Sequence, residues 1–218
     1  MAFGSKVDFG TLNGGRPMID KTSLVVWMTT LTIGVCSLIL ATGAANPEHY
    51  MAVTALISFA IAVIGLREII SLDQQGASIS AVSAATARYM GLVYAWGALA
   101  LFVTYFFILP EWHEWPVFCA AFAIVAAVSL LFAAIMSNDA ERGKDDPTLL
   151  KIGRILTIVQ FAGTIIAVIG LMIDPDKQFL NPERRDWAAQ TVFLFGAIAL
   201  AAISAAALFY TRDRVPTA

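Results

Sequence analysis

The sequence predicts an all-α membrane protein: a six-transmembrane-helix bundle with both termini cytoplasmic. Three observations predict it. Runs of about twenty apolar residues recur six times, each long enough to cross a hydrocarbon core roughly 30 Å thick at about 1.5 Å per residue. Charged residues make up only 14% of the chain, against roughly 25% in soluble domains. Finally, basic residues concentrate on alternate connectors.

The six runs cover 23–44, 51–72, 89–109, 116–136, 152–173 and 188–210. They divide the chain into an N-terminal segment 1–22, a transmembrane domain 23–210 and a tail 211–218. The segments are apolar on every side rather than striped, as lipid immersion requires. Mean hydropathy is +0.76. The first run, followed by Ala41, Ala44 and Ala45, imitates a secretory signal. Its polar lead is long, and it exceeds the usual 7–15 apolar residues, so it reads as an uncleaved span.

Charge then orients the bundle. One side carries Lys6, Arg16, Lys21, Arg67, Arg88, Arg142, Lys144, Lys151, Arg154, Arg212 and Arg214. The other carries only Lys177, Arg184 and Arg185. Eleven against three is a positive-inside bias, which puts both termini in the cytoplasm. The expected setting is a bacterial inner membrane. Tyr50, Trp112, Trp115 and Trp187 fall at the opposite boundaries, where aromatic rings anchor in headgroups. Arg67 serves as an anchor on the inner side, its stem in lipid and its charge in water.

Each outer loop carries a Pro-Glu ahead of an aromatic: Pro47-Glu48-His49-Tyr50, Pro110-Glu111-Trp112 and Pro182-Glu183 before Trp187. Three tandem helical hairpins in one orientation would produce this. Convergence on residues that suit helix starts would produce it too.

Small residues at four-residue spacing mark expected packing faces, because small side chains let helices approach closely in lipid. They are Ser58 and Ala62; Gly91 and Ala95; Cys119, Ala123 and Ala127; and Ala197, Ala201 and Ala205. The bulky faces bearing Phe102, Phe106, Phe107, Phe132, Phe193 and Phe195 are expected to meet lipid or another subunit. Cys36 and Cys119 read as small buried side chains.

Chemistry-bearing motifs are few. The middle of each run contains no Asp, Glu, Lys, Arg or His, which counts against pumps and ion-coupled transporters. It also disfavours b-type haem, which wants histidines inside the bilayer. Lipids are expected around the chain, and pigments remain open because their ligands need not be histidine. Neutral polar residues do occur, and Thr104, Tyr105, Gln160 and Thr164 form a candidate polar path. His49, His113, Glu111 and Glu114 form a weak outward metal set whose spacing matches no ligand pattern. Phosphate loops, Gly-x-Ser-x-Gly and His-Glu-x-x-His are missing. A net charge of −2 argues against nucleic-acid binding.

The leading expectation is a non-catalytic structural or accessory subunit of a larger membrane complex, such as a photosynthetic or respiratory one. The alternative is a small transporter or channel for a neutral or lipophilic solute. A membrane enzyme with the outward metal set is the third.

Overall fold

The computed structural model describes residues 34, 47–105, 115–173 and 187–212. By its contacts the chain divides into Met1–Leu38 and Ile39–Ala218. The described residues of the second unit form five helices: α1 (Pro47–Gln74), α2 (Ile79–Val103), α3 (Trp115–Glu141), α4 (Pro147–Met172) and α5 (Trp187–Thr211). All five are long and apolar enough to span a membrane, and no strand occurs among the described residues. By length and composition this is an integral membrane protein. The expected first span, 23–44, lies outside the described residues apart from Gly34, as do both termini.

The α2 helix is the hub. It packs against α1, α3 and α5 and touches α4, while α5 in turn packs on α1 and α4. Register follows from named pairs. Gly65 of α1 faces the Tyr89 ring of α2, and Tyr50 reaches Ala100, so α1 and α2 are antiparallel. Gly91 and Gly97 of α2 face Leu130 and Phe122 of α3, which makes that pair antiparallel as well. A Cβ on Gly97 would stand 2.5 Å from Phe122 Cδ1, so glycine sets the closeness of this crossing.

The α2 helix begins ten residues before the expected span. Residues 79–88, expected as connector, are helical and mostly buried, and the turn from α1 shrinks to 75–78 around Gly76 at φ +64°. The reason is polar satisfaction. This Ala-, Ser- and Thr-rich stretch has low hydropathy, but the hydroxyls of Ser78, Ser80 and Thr86 are engaged. Ser78 caps the helix by accepting from the Ala81 N–H. Ser80 donates to Asp145 Oδ1 at 2.6 Å, and Thr86 donates to the Val82 carbonyl at 2.8 Å. Bonded hydroxyls can be buried at little cost, and small side chains then pack closely.

The same shift corrects the placement of Arg88. It is no loop residue but lies inside α2, where Nη1 meets Glu68 Oε1 of α1 at 3.2 Å. Tyr89 donates to the other Glu68 oxygen at 2.6 Å. An ion pair therefore sits between two apolar helices, each side chain about a quarter to a third exposed (25% and 30%). Arg67 is exposed.

The acidic connector between α3 and α4 is structural. Asp146 caps α4, accepting from the Thr148 and Leu149 N–H groups at 2.8 and 3.3 Å. Asp145 holds Ser80, tying this connector to the start of α2. Beneath it Ala84, Met136 and Leu150 form a buried cluster that gathers Ile79, Phe132 and Leu149.

Candidate functional site

Near their connector α3 and α4 meet: a side chain at Gly153 would touch the Phe132 ring at 3.1 Å. Farther along they share no extensive contact. Between them lies a cavity of about 590 Å³, backed by α2 and α5. Its rear wall includes Thr86, Met90 and Tyr94 of α2 and Phe193, Gly196 and Leu200 of α5. Its rims are Ile124 and Val128 on α3 and Leu156 and Val159 on α4. Those rim side chains are 51% to 62% exposed, so the cavity opens sideways between α3 and α4. In a membrane that mouth faces hydrocarbon, not water.

Two polar features interrupt the apolar wall. At mid-height the Tyr94 hydroxyl donates to Gln160 Oε1 at 2.5 Å, joining α2 to α4 across the site. The Gln160 amide nitrogen makes no hydrogen bond among the described residues, which leaves two donors for an acceptor brought from outside. Toward the α3–α4 connector, half-buried Arg154 lines the cavity. Thr157 and Thr164 also line it, but their hydroxyls are spent on the Gly153 and Phe161 carbonyls. At Gly163 an added Cβ would meet nothing within 4 Å. The rings of Tyr94, Phe122, Phe193 and Phe118 form an edge-to-face chain from α2 through α3 to α5 and back to α3. Tyr94, Phe122 and Phe193 of this chain line the cavity.

The candidate polar path divides into two places. Gln160 and Thr164 border the cavity. Thr104 does not: it is wholly buried at the opposite end of α2, bonded to the Tyr50 hydroxyl at 2.6 Å and the Ala100 carbonyl at 2.9 Å. Tyr105 follows it and is half-buried.

The aromatic anchors also separate. Tyr50 is 2% exposed and stands edge-on to buried Trp187 at 5.5 Å, so these two rings lock α1 to α5. Trp112 and the Trp115 side chain lie outside the described residues.

Of the small-residue stripes, Ser58, Ala62, Gly91 and Ala197 are buried, Ala95, Cys119 and Ala201 half-buried, and Ala123, Ala127 and Ala205 exposed. A four-residue step advances about 400° around a helix, so a stripe of three slides by about 80°. The buried face of α5 instead runs Gly196, Leu200, Ile203 and Ala207, alternating four and three. Phe132, Phe193 and Phe195, expected on the outer face, are half-buried, and Phe195 meets Phe59 at 5.7 Å. Phe102 is exposed at 45%, while Phe106 and Phe107 lie outside the described residues. His49 is exposed, and His113, Glu111 and Glu114 lie outside the described residues. Among the described residues no three His, Cys, Asp or Glu side chains converge as metal ligands.

Comparison with protein-family models, with curated proteins and with solved structures finds no match to this chain. Function therefore rests on the cavity itself. Sequence reading found Gln160 and Thr164 because they are polar within an apolar run. It missed Tyr94, Phe122 and Gly163, which read as ordinary span residues until the antiparallel register brings them together.

Proposed function

We propose that this chain is a non-catalytic membrane protein that holds a lipophilic molecule between α2, α3, α4 and α5. The reading rests on one observation: an apolar cavity of about 590 Å³ with a sideways mouth rimmed by exposed aliphatic residues. Ligand sites commonly run to about 300–1,000 Å³, mostly apolar with a few placed polar groups. Tyr94 and Gln160 supply such groups, and the lateral mouth lets a lipid-dissolved molecule enter without crossing water.

The test compares the wild type with Gly163→Leu. Gly163 lines the cavity and a Cβ there meets nothing within 4 Å, so the larger side chain takes up cavity space. Both proteins are purified in nanodiscs of defined phosphatidylcholine, extracted with organic solvent and analysed by mass spectrometry. The expected result is a foreign apolar molecule in near-stoichiometric amount with the wild type and its loss with Gly163→Leu. Equal retention by both proteins contradicts the reading.

A second reading, as an accessory subunit of a larger complex, draws on α4. Only Leu150, Gly153 and Thr164 of its 26 residues are buried, leaving a broad aliphatic face that includes Ile155, Ile166 and Met172. A photosynthetic or respiratory partner would cover that face. Migration as a lone bundle after mild-detergent extraction would count against it. For orientation we keep both termini on the cytoplasmic side of a bacterial inner membrane. With Arg67, Arg88, Lys151 and Arg154 assigned to helices, seven basic connector residues still stand against three.

A further inference from the structure

We infer that the molecule held in this cavity is an anionic amphiphile, its charged head on Arg154 and its apolar tail along the cleft between α3 and α4. This rests on the cavity reading above and adds the charge of the occupant.

Arg154 is the observation that carries it. An arginine inside an apolar span is costly, and such residues pair or mark a binding site. Of the other helix arginines near that end, Arg88 obeys the first rule through Glu68, and Arg67 is exposed. Arg154 makes no ion pair or hydrogen bond among the described residues, yet it lines the cavity. Its nearest cationic neighbours in sequence, Lys151 and Lys144, are exposed and add positive potential at the same end. No carboxylate lines the cavity, so nothing there neutralises the guanidinium from within. A guanidinium presents a fork of donors that matches phosphate or carboxylate oxygens.

Depth agrees with charge. Arg154 lies about 10 Å along α4 from its start at Pro147, the distance at which a long side chain still meets the headgroup layer. From Arg154 to Ala167, the farthest α4 residue on the wall, is about 20 Å along the helix. That stretch is apolar except for Thr157, Gln160 and Thr164, and suits an alkyl tail. A tail on this course passes the Tyr94–Gln160 pair and leaves by the mouth between Val128 and Val159.

The experiment measures binding of hexadecyl phosphate and of hexadecan-1-ol to protein in phosphatidylcholine nanodiscs at about pH 8, where the phosphate is doubly ionised. Uptake by protein-free discs is subtracted. The wild type should prefer the phosphate by about tenfold or more, the size expected of a charge-assisted hydrogen bond. Arg154→Gln should erase the preference through weaker binding of the phosphate, and Arg154→Lys should retain much of it. Inorganic phosphate at the same concentration should not displace the amphiphile. Equal wild-type binding of both ligands overturns the anionic head and leaves the cavity reading standing. A preference that survives Arg154→Gln overturns it too, as does displacement by inorganic phosphate. Binding of neither ligand overturns the cavity reading and this inference together.

Discussion

The Tyr94 hydroxyl of α2 donates to Gln160 Oε1 of α4 at 2.5 Å across an otherwise apolar cavity. Since α2 and α4 have little other contact, this bond fixes the width of the site. Interhelical hydrogen bonds in membranes average about 0.6 kcal/mol and reach about 1.7. Tyr94→Phe and Gln160→Leu should each destabilise the bundle by roughly that amount, and the double variant by little more than either alone. Unfolding in mixed micelles of rising sodium dodecyl sulfate measures all three.

Gly97 and Gly163 should respond in opposite directions. Alanine at Gly97 drives a methyl group into Phe122, a ring that also packs on Tyr94 and Phe193. Overpacking of this kind costs about 1–3 kcal/mol. Alanine at Gly163 meets nothing and gains up to about 1 kcal/mol of helix propensity. The same unfolding assay should show a loss for Gly97→Ala and no loss for Gly163→Ala.

The Glu68–Arg88 pair makes a prediction about order rather than size. Replacing either partner by leucine leaves the other charge unpaired between apolar helices, and strands Tyr89 when Glu68 is removed. Replacing both removes the imbalance. The double variant Glu68→Leu with Arg88→Leu should therefore be more stable than Glu68→Leu alone. A double variant less stable than both singles would show that the pair is net stabilising.

Asp146 ends two backbone N–H groups that α4 would otherwise leave open. Asp146→Ala should cost about 1 kcal/mol, typical of a lost N-cap. Amide exchange should quicken in the first turn of α4, at residues 147–150, before it changes in α2. Uniform protection across that turn would contradict the cap.

Apolar run length located most of the helices, because a span's length is set by the bilayer and not by its neighbours. The second and sixth runs, 51–72 and 188–210, lie within α1 and α5 with small extensions at their ends. The third failed at its start. Hydropathy counts Ser80 and Thr86 as polar, whereas in the fold Asp145 and a backbone carbonyl satisfy them. The candidate site was legible only where one residue stood out chemically, as Gln160 does. Tyr94 became its partner through register, and Thr104 left the path because Tyr50 claims it. Tyr50 and Trp187 match interface composition, but a neighbouring helix buries them against each other. Which residues share a wall depends on helix rotation, and four-residue spacing tracks rotation poorly.

Photolabelling tests the central claim most directly. A diazirine-bearing hexadecanol is added to nanodisc-embedded protein, irradiated and mapped by peptide mass spectrometry. The account predicts saturable adducts on the wall, at Tyr94, Phe122 and Gln160, that excess unlabelled hexadecanol removes and Gly163→Leu abolishes. Adducts confined to the outward side chains of Ile166 and Phe209, rising without saturation, would contradict it.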